Sequence, residues 1–181
     1  MFDFVISDTH FFHKNIVEYA GRPKNHDWLM VENWRKTVPA YNATVLHLGD
    51  VLMGQQEKWP TVGWLPGFVS VLDSGNHDEP HKRQFLEQER GWLFIREFSM
   101  EYRGYAIYFT HRPLWVTYPD PNDNTAVKID SYLPPLSINV HGHIHEKLAP
   151  SRFHVNVCVE QINYTPINLK ELLDRRIDEL A

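Results

Sequence analysis

Phe2-Asp3-Phe4-Val5-Ile6-Ser7-Asp8-Thr9-His10 is a short, apolar, β-rich run that breaks at once into carboxylate and imidazole. The same grammar recurs along the chain. Thr44-Val45-Leu46-His47-Leu48 runs into Gly49-Asp50, and Phe68-Val69-Ser70-Val71-Leu72 into Asp73-Ser74-Gly75-Asn76-His77-Asp78. Tyr105-Ala106-Ile107-Tyr108-Phe109 runs into Thr110-His111, and Ser137-Ile138-Asn139-Val140 into His141-Gly142-His143-Ile144-His145. Runs of β-branched and aromatic residues bounded by Gly, Asn and Asp read as strands. Helical patterns fill the gaps at 14–20, at 28–38 before Pro39, and at 79–90 before Gly91. A C-terminal helix follows Asn168 as N-cap, with Glu171 three positions on and Leu169, Leu172, Leu173, Ile177 and Leu180 as one apolar stripe. Strands alternating with helices give an α/β fold. Its strands deliver polar residues at their C-terminal ends, where loops converge on a crevice.

The whole chain bounds what this edge can serve. At 181 residues it has room for one domain, 1–181, with a real core. The formal net charge of -5 provides no global positive field to gather nucleic acid or an anionic membrane. No apolar stretch approaches the roughly 20 residues needed to span a bilayer. The single cysteine, Cys158, sits in an apolar strand-like run and has no disulfide partner in the chain, and Met1 leads straight into the first strand without a basic leader. Both features lead us to expect a cytoplasmic protein. Two stretches, 54–67 and 117–135, are rich in Trp, Pro and polar residues and read as loops, or as a loop with a short helix. Trp59, Trp64 and Trp115 lie in or near them and are candidates to stack on a base or sugar.

Five blocks of Asp, His and Asn at strand ends are the inventory of a two-metal site. Divalent transition ions favour neutral imidazole mixed with carboxylate and amide oxygen, and a pair of ions needs a ligand that bridges them, normally an aspartate. Singly, each block has a plain structural reading, because Asp, Asn and His at strand ends usually make turns or satisfied hydrogen bonds. His47, inside its apolar run, reads as a buried, hydrogen-bonded histidine. His141 reads either as a support for a ligand or as core.

Taken as an ordered set, D-x-H, G-D, G-N-H-D, H and G-H-x-H resembles the calcineurin-like metallophosphoesterase superfamily, in particular its small bacterial and phage members. The match covers roughly 3–145, and 155–160 resembles the strand that follows the last motif in that family. The resemblance implies two mixed β-sheets packed as a sandwich with flanking helices. It implies that Asp8, His10 and His145 hold one metal, that Asn76, His111 and His143 hold the other, and that Asp50 bridges them. Two divalent transition ions are the implied cofactors, manganese first, with iron, zinc, nickel or cobalt as alternatives. His77 is implied as proton donor or charge stabiliser, with Asp78 placed to orient its imidazole. His13, in a His-Lys-Asn continuation of the first block, and Arg112, next to His111, are candidate substrate contacts.

The implied activity is hydrolysis of a phosphodiester or small nucleotide-type phosphoester by a water or hydroxide held between the metals. Protein phosphatases of the superfamily carry G-D-x-x-D-R-G and G-N-H-E. Here Gly49-Asp50-Val51-Leu52-Met53-Gly54 and Gly75-Asn76-His77-Asp78 stand instead, which leans toward phosphodiesterases and small nucleotide phosphohydrolases. The alternatives are a metal-dependent nuclease, against which the acidic charge speaks, and a scaffold that keeps the fold without the chemistry.

Overall fold

The structure, a computed structural model, describes residues 1–39, 42–62, 65–114, 116–120, 123–130 and 133–181, with 116–120 and 123–130 described by their backbone. In chain order the elements are β1 (Phe4–Ile6), α1 (Ile16–Tyr19), α2 (His26–Thr37), β2 (Thr44–His47), a 3₁₀ helix (Gln56–Val62), β3 (Phe68–Leu72), α3 (Pro80–Arg90), β4 (Leu93–Ile95), β5 (Phe98–Tyr102), β6 (Tyr105–Thr110), β7 (Val116–Asp120), β8 (Asp123–Asp130), β9 (Ser137–His141), β10 (His154–Asn156), β11 (Ile167–Asn168) and α4 (Leu169–Leu180). One sheet runs β11-β1-β2-β3-β4 and the other β10-β9-β6-β5. Both are mixed: β1 to β4 are mutually parallel with β11 antiparallel at one edge, and β10, β9 and β6 are parallel with β5 antiparallel.

Side-chain alternation explains the layering. Val5, Leu46 and Leu72 point from the first sheet into one apolar cluster with Ile107 and Phe109 of β6, Ile138 and Val140 of β9, and the stripe Leu169, Leu172, Leu173 and Ile177 of α4. Ile6, Val45, Val69 and Val71 point the opposite way, into a cluster with Met30 and Trp34 of α2 and Leu86 of α3. The first sheet is therefore buried on both faces, and burying each such aliphatic side chain contributes roughly 1.5–3 kcal/mol. The sheets share a core between them, and helices flank it. The helix ends follow their residues: Pro80 opens α3, Gly91 closes it at φ 66°, and the Asn168 side chain accepts the Glu171 amide at 3.0 Å to cap α4.

The structure departs from the sequence reading in several places. The stretch 117–135, expected as a loop, contains the antiparallel pair β7 and β8, closing Asp120 against Asp123 with a register irregularity at Pro119. Val116, Thr117, Tyr118, Val127 and Ile129 carry strand propensity, which the surrounding prolines masked. Strand β5 was not anticipated. It joins β6 through Arg103-Gly104, at φ 47° and 81°, a primed-type turn made without the usual Asn-Gly signal. The two-residue β11 and the edge strand β4 are too short to carry a periodicity. The stretch 54–67 holds the 3₁₀ helix, and its Trp59 is only 1% exposed, with its indole donating to the Met53 carbonyl, so it belongs to the core and is not free to stack on a ligand. Trp64 and Trp115 lie outside the described residues. Among the described residues no helix is long and apolar enough to cross a membrane.

His47 is fully buried. The Gly49 amide donates to its Nδ1 at 3.1 Å, so Nε2–H is left to donate to Thr9 Oγ1 at 3.0 Å, and the Thr9 hydroxyl in turn donates to the Val51 carbonyl. This is a neutral imidazole, and burial pushes its pKa down to about 3. The unfolded chain takes up this proton near pH 6.5 while the folded chain does not, so stability is lost as pH falls through the window between those values. Between pH 7 and pH 5 the loss from this residue is about 2 kcal/mol. Urea unfolding of the metal-free protein at the two pH values is expected to show that difference, and a His47→Gln variant should show a shallower pH dependence. Equal pH dependence in both proteins would contradict the assignment.

Candidate metal centre

The polar blocks meet at the C-terminal ends of β1, β2, β3, β6 and β9. Most of them turn sharply there. Asp8, His10, Asp50, His143 and His145 all have left-handed backbone, with φ between 44° and 70°. Each such residue costs on the order of 1–2 kcal/mol unless its surroundings hold it. Hydrogen bonds between the turns do so: the Asp8 amide donates to the Gly49 carbonyl at 3.1 Å, the His10 amide to the Asp50 carbonyl at 3.0 Å, and the Gly142 amide to the His111 carbonyl at 2.9 Å. The turns also touch closely. A side chain at Gly142 would run into Ser7 Oγ and Asp8 Oδ2, and one at Gly75 into the Asp78 carboxylate and the Asp50 amide.

Side-chain geometry brings all seven expected ligands to one edge. Asp50 Oδ2 lies 3.5 Å from His10 Nε2 and 3.4 Å from His111 Nε2. Asp8 Oδ1 is 3.6 Å from His10 Nε2, and Asn76 Oδ1 is 3.0 Å from His111 Nε2. Asp8, His10 and Asp50 form one set whose donor atoms could share a metal ion; Asp50, His111 and His143 form a second; Asp8, His145 and Cys158 form a third. Asp50 belongs to both of the first two sets. Other contacts fix which atoms remain free. His111 Nδ1–H donates to the Leu48 carbonyl at 3.0 Å, and His145 Nδ1–H to Glu160 Oε1 at 3.0 Å, so each ring keeps Nε2 for a ligand. Asp8 Oδ2 accepts from Ser7 Oγ at 2.5 Å, the His143 amide at 2.8 Å and Cys158 Sγ at 3.3 Å. Asp50 Oδ1 accepts the His77 amide at 2.8 Å.

What is left over fits a cation. Among the described residues, Asp8 Oδ1 and both ring nitrogens of His10 are buried without a hydrogen-bond partner. Leaving such groups bare in a protein interior is unfavourable by about 1–3 kcal/mol each, more for a charge. Imidazole, carboxylate and amide donors are the set that divalent transition ions take. The electrostatics agree. Burial alone would raise the Asp8 pKa, but the His10 contact and the nearby imidazoles hold it well below the carboxylate range. Burial pushes His10 and His143 down, favouring the neutral rings that bind metals. Burial lowers His111 and His145 too, but the surrounding carboxylates together outweigh it and pull both up, Asp50 and Asp8 for His111 and Glu160 and Asp8 for His145.

The remaining expected residues sit around this cluster. His77 is half-buried, its ring 5.4 Å from that of His10. Asp78 is not turned toward it: its carboxylate accepts the Asp50 amide at 2.6 Å and the Val51 amide at 2.9 Å, which corrects the expectation that it orients His77. Instead it holds the Asp50 turn, and burial raises its pKa to about 6. The His13 ring lies 5.9 Å from that of His10, and burial and the neighbouring His10, Arg22 and His77 lower its pKa. Arg112 is exposed, and its charge helps to lower the pKa of His143. His141 is buried, its Nδ1 at 2.9 Å from the Gly142 carbonyl and its ring beside His154.

Two residues escaped the sequence reading. Arg22 is 2% exposed; its guanidinium donates to the Asp8 carbonyl at 2.6 Å, the Thr9 carbonyl at 2.7 Å and Glu160 Oε1 at 2.7 Å. Glu160 thereby links Arg22 to His145 and aims the imidazole. The strand-then-polar grammar could have found Glu160, which ends the run from Val155; nothing local marks Arg22. Loss of such a support typically weakens metal binding 10- to 100-fold. Glu160→Gln is therefore expected to weaken Mn²⁺ binding by about that factor in competition with a fluorescent chelator. An unchanged affinity would remove Glu160 from the account.

No family model matches the chain. It is 28% identical over 180 residues to the uncharacterized protein MJ1445 of Methanocaldococcus jannaschii, covering 92% of this chain and 86% of that one. Its fold matches the crystal structure of AQ665 of Aquifex aeolicus, a protein of unknown function, with a TM-score of 0.68, 25% identity and 98% of both chains covered.

Proposed function

We propose that the protein is a dinuclear, metal-dependent phosphoesterase with the calcineurin-like fold, acting on phosphodiester or small nucleotide-type substrates. The observation that carries this reading is Asp50 Oδ2, within 3.5 Å of an imidazole nitrogen on either side and common to two ligand sets. In this reading Asp8, His10, His145 and Asp50 hold one ion, and Asn76, His111, His143 and Asp50 the other. Two divalent ions, manganese first, would supply an activated water and neutralise charge on the phosphoryl oxygens. The chain's own residues do the rest. His77, attached by its amide to Asp50, hands a proton to the departing alkoxide, and His13 faces the substrate beside His10. Asp78 fixes the Asp50 turn, so that carboxylate and imidazole keep their relative position.

The test is a panel in Mn²⁺ of bis(p-nitrophenyl) phosphate, p-nitrophenyl phosphate, cyclic nucleotides and single-stranded DNA. Metal-dependent hydrolysis with a preference for the small diesters is expected. Efficient, steeply salt-sensitive DNA cleavage would move the protein to the nucleases. Neither bound metal nor hydrolysis of any member would leave a scaffold.

A further inference from the structure

The chain is acidic overall, at -5, yet one depression beside the cluster is basic. Three adjoining cavities share Phe12 in their walls. The first, of about 310 Å³, is lined by His13, Lys14, Met53 and Lys58; the second, of about 350 Å³, by Lys14, Lys24 and Lys58; the third, of about 600 Å³, by Trp28, Val31, Arg35 and Pro60. His13 connects them to the candidate metal centre, its ring 5.9 Å from that of His10. Among the described residues that line the three cavities, the carboxylates are Glu18 and Asp27, against Lys14, Lys24, Lys58 and Arg35. Asp27 is already engaged, accepting the Phe12 amide at 2.8 Å and lying 3.3 Å from His26 Nε2. Among the described residues the lysines that pair with carboxylates are Lys36, Lys82 and Lys170, and Lys14, Lys24 and Lys58 belong to none of these pairs. Beyond them Trp28, 61% exposed, stands beside Pro60 and Val31 on the apolar part of the depression.

Anion recognition followed by an exposed aromatic is the chemistry that binds a nucleotide, with cations on phosphate and a ring against the base. We propose that the depression is a substrate subsite for a nucleotide bearing a second phosphate. The reacting phosphate lies at the His10–His77 edge, the second phosphate at Lys14 and Lys58, and the base against Phe12 and Trp28. This rests on the phosphoesterase reading for the position of the first phosphate.

Calorimetric titration of the Mn²⁺-loaded full chain with thymidine 5′-monophosphate and with thymidine 3′,5′-bisphosphate tests it. The bisphosphate is expected to bind at least about tenfold tighter, the usual gain from one well-placed charged contact. In a Lys14→Gln/Lys58→Gln variant with an unchanged melting temperature the ratio should fall close to one. Equal affinities in the parent protein, or a preference that survives in the variant, would overturn the subsite. Hydrolysis of the phosphoester panel, measured alongside, separates the two readings: hydrolysis without a bisphosphate preference removes the subsite alone, and a preference without hydrolysis of any member removes the phosphoesterase and overturns the depression as a substrate subsite, leaving a bisphosphate-binding site.

Discussion

Asp50→Asn is expected to reduce bound Mn²⁺ from two ions per chain to one or fewer and to lower kcat/KM by about 10³-fold, equivalent to roughly 4 kcal/mol of transition-state stabilisation. The reason lies in the two ends of its carboxylate. Oδ1 accepts the His77 amide at 2.8 Å, and asparagine can keep that bond with its own oxygen. Its NH₂ group must then take the position of Oδ2, between His10 Nε2 and His111 Nε2, where a donor repels a cation and cannot be shared by two. The backbone around the site need not change, because the turn is held by Asp78 through the Asp50 and Val51 amides. The metal-free variant should melt below the parent temperature at neutral pH, since His111 and His10 hold the Asp50 carboxyl below its ordinary range against burial and the Asp8 charge, and the neutral amide loses that attraction. Elemental analysis and melting curves check both parts. Two bound ions with full activity would refute the bridging role.

The second large effect is at His77, and it separates chemistry from metal binding. His77→Ala should lower kcat by about 10² to 10⁴, the usual range for a lost general acid. Metal content should stay at two ions, because the contact with Asp50 is made by the His77 backbone and survives the substitution. The loss should be smaller for a p-nitrophenyl leaving group, which departs without a proton, than for a nucleoside alkoxide. Steady-state kinetics on both kinds of substrate check this. An equal loss on both would make His77 a charge stabiliser instead of a proton donor, and an unchanged rate would remove it from the site.

Much of this site is legible in the sequence because each block follows an apolar run, and a strand that ends in Asp or His delivers that side chain to the shared edge. Asp8, Asp50, Asn76, His111 and His143 could be placed for that reason, and the buried state of His47 followed from the apolar neighbours around it. What could not be read is what acts across the chain. Arg22 reaches the carbonyls of Asp8 and Thr9 from a different segment, and although the strand-then-polar grammar could place Glu160 at a strand end, its pairing with His145 and Arg22 is a contact that sequence separation hides. Asp78 misled because adjacency in sequence suggested His77, whereas a sharp turn carries its carboxylate to the amides of β2's exit. In the fold, β5 and the β7–β8 pair were missed where Arg103-Gly104 and a proline-rich stretch replaced familiar turn signals.

The most direct test of the two-metal reading is a titration of the metal-free protein with Mn²⁺, followed by the rate of bis(p-nitrophenyl) phosphate hydrolysis. The rate should stay low through the first equivalent and reach its plateau at two ions per chain. A plateau at one ion, or no hydrolysis at any ratio, would contradict it.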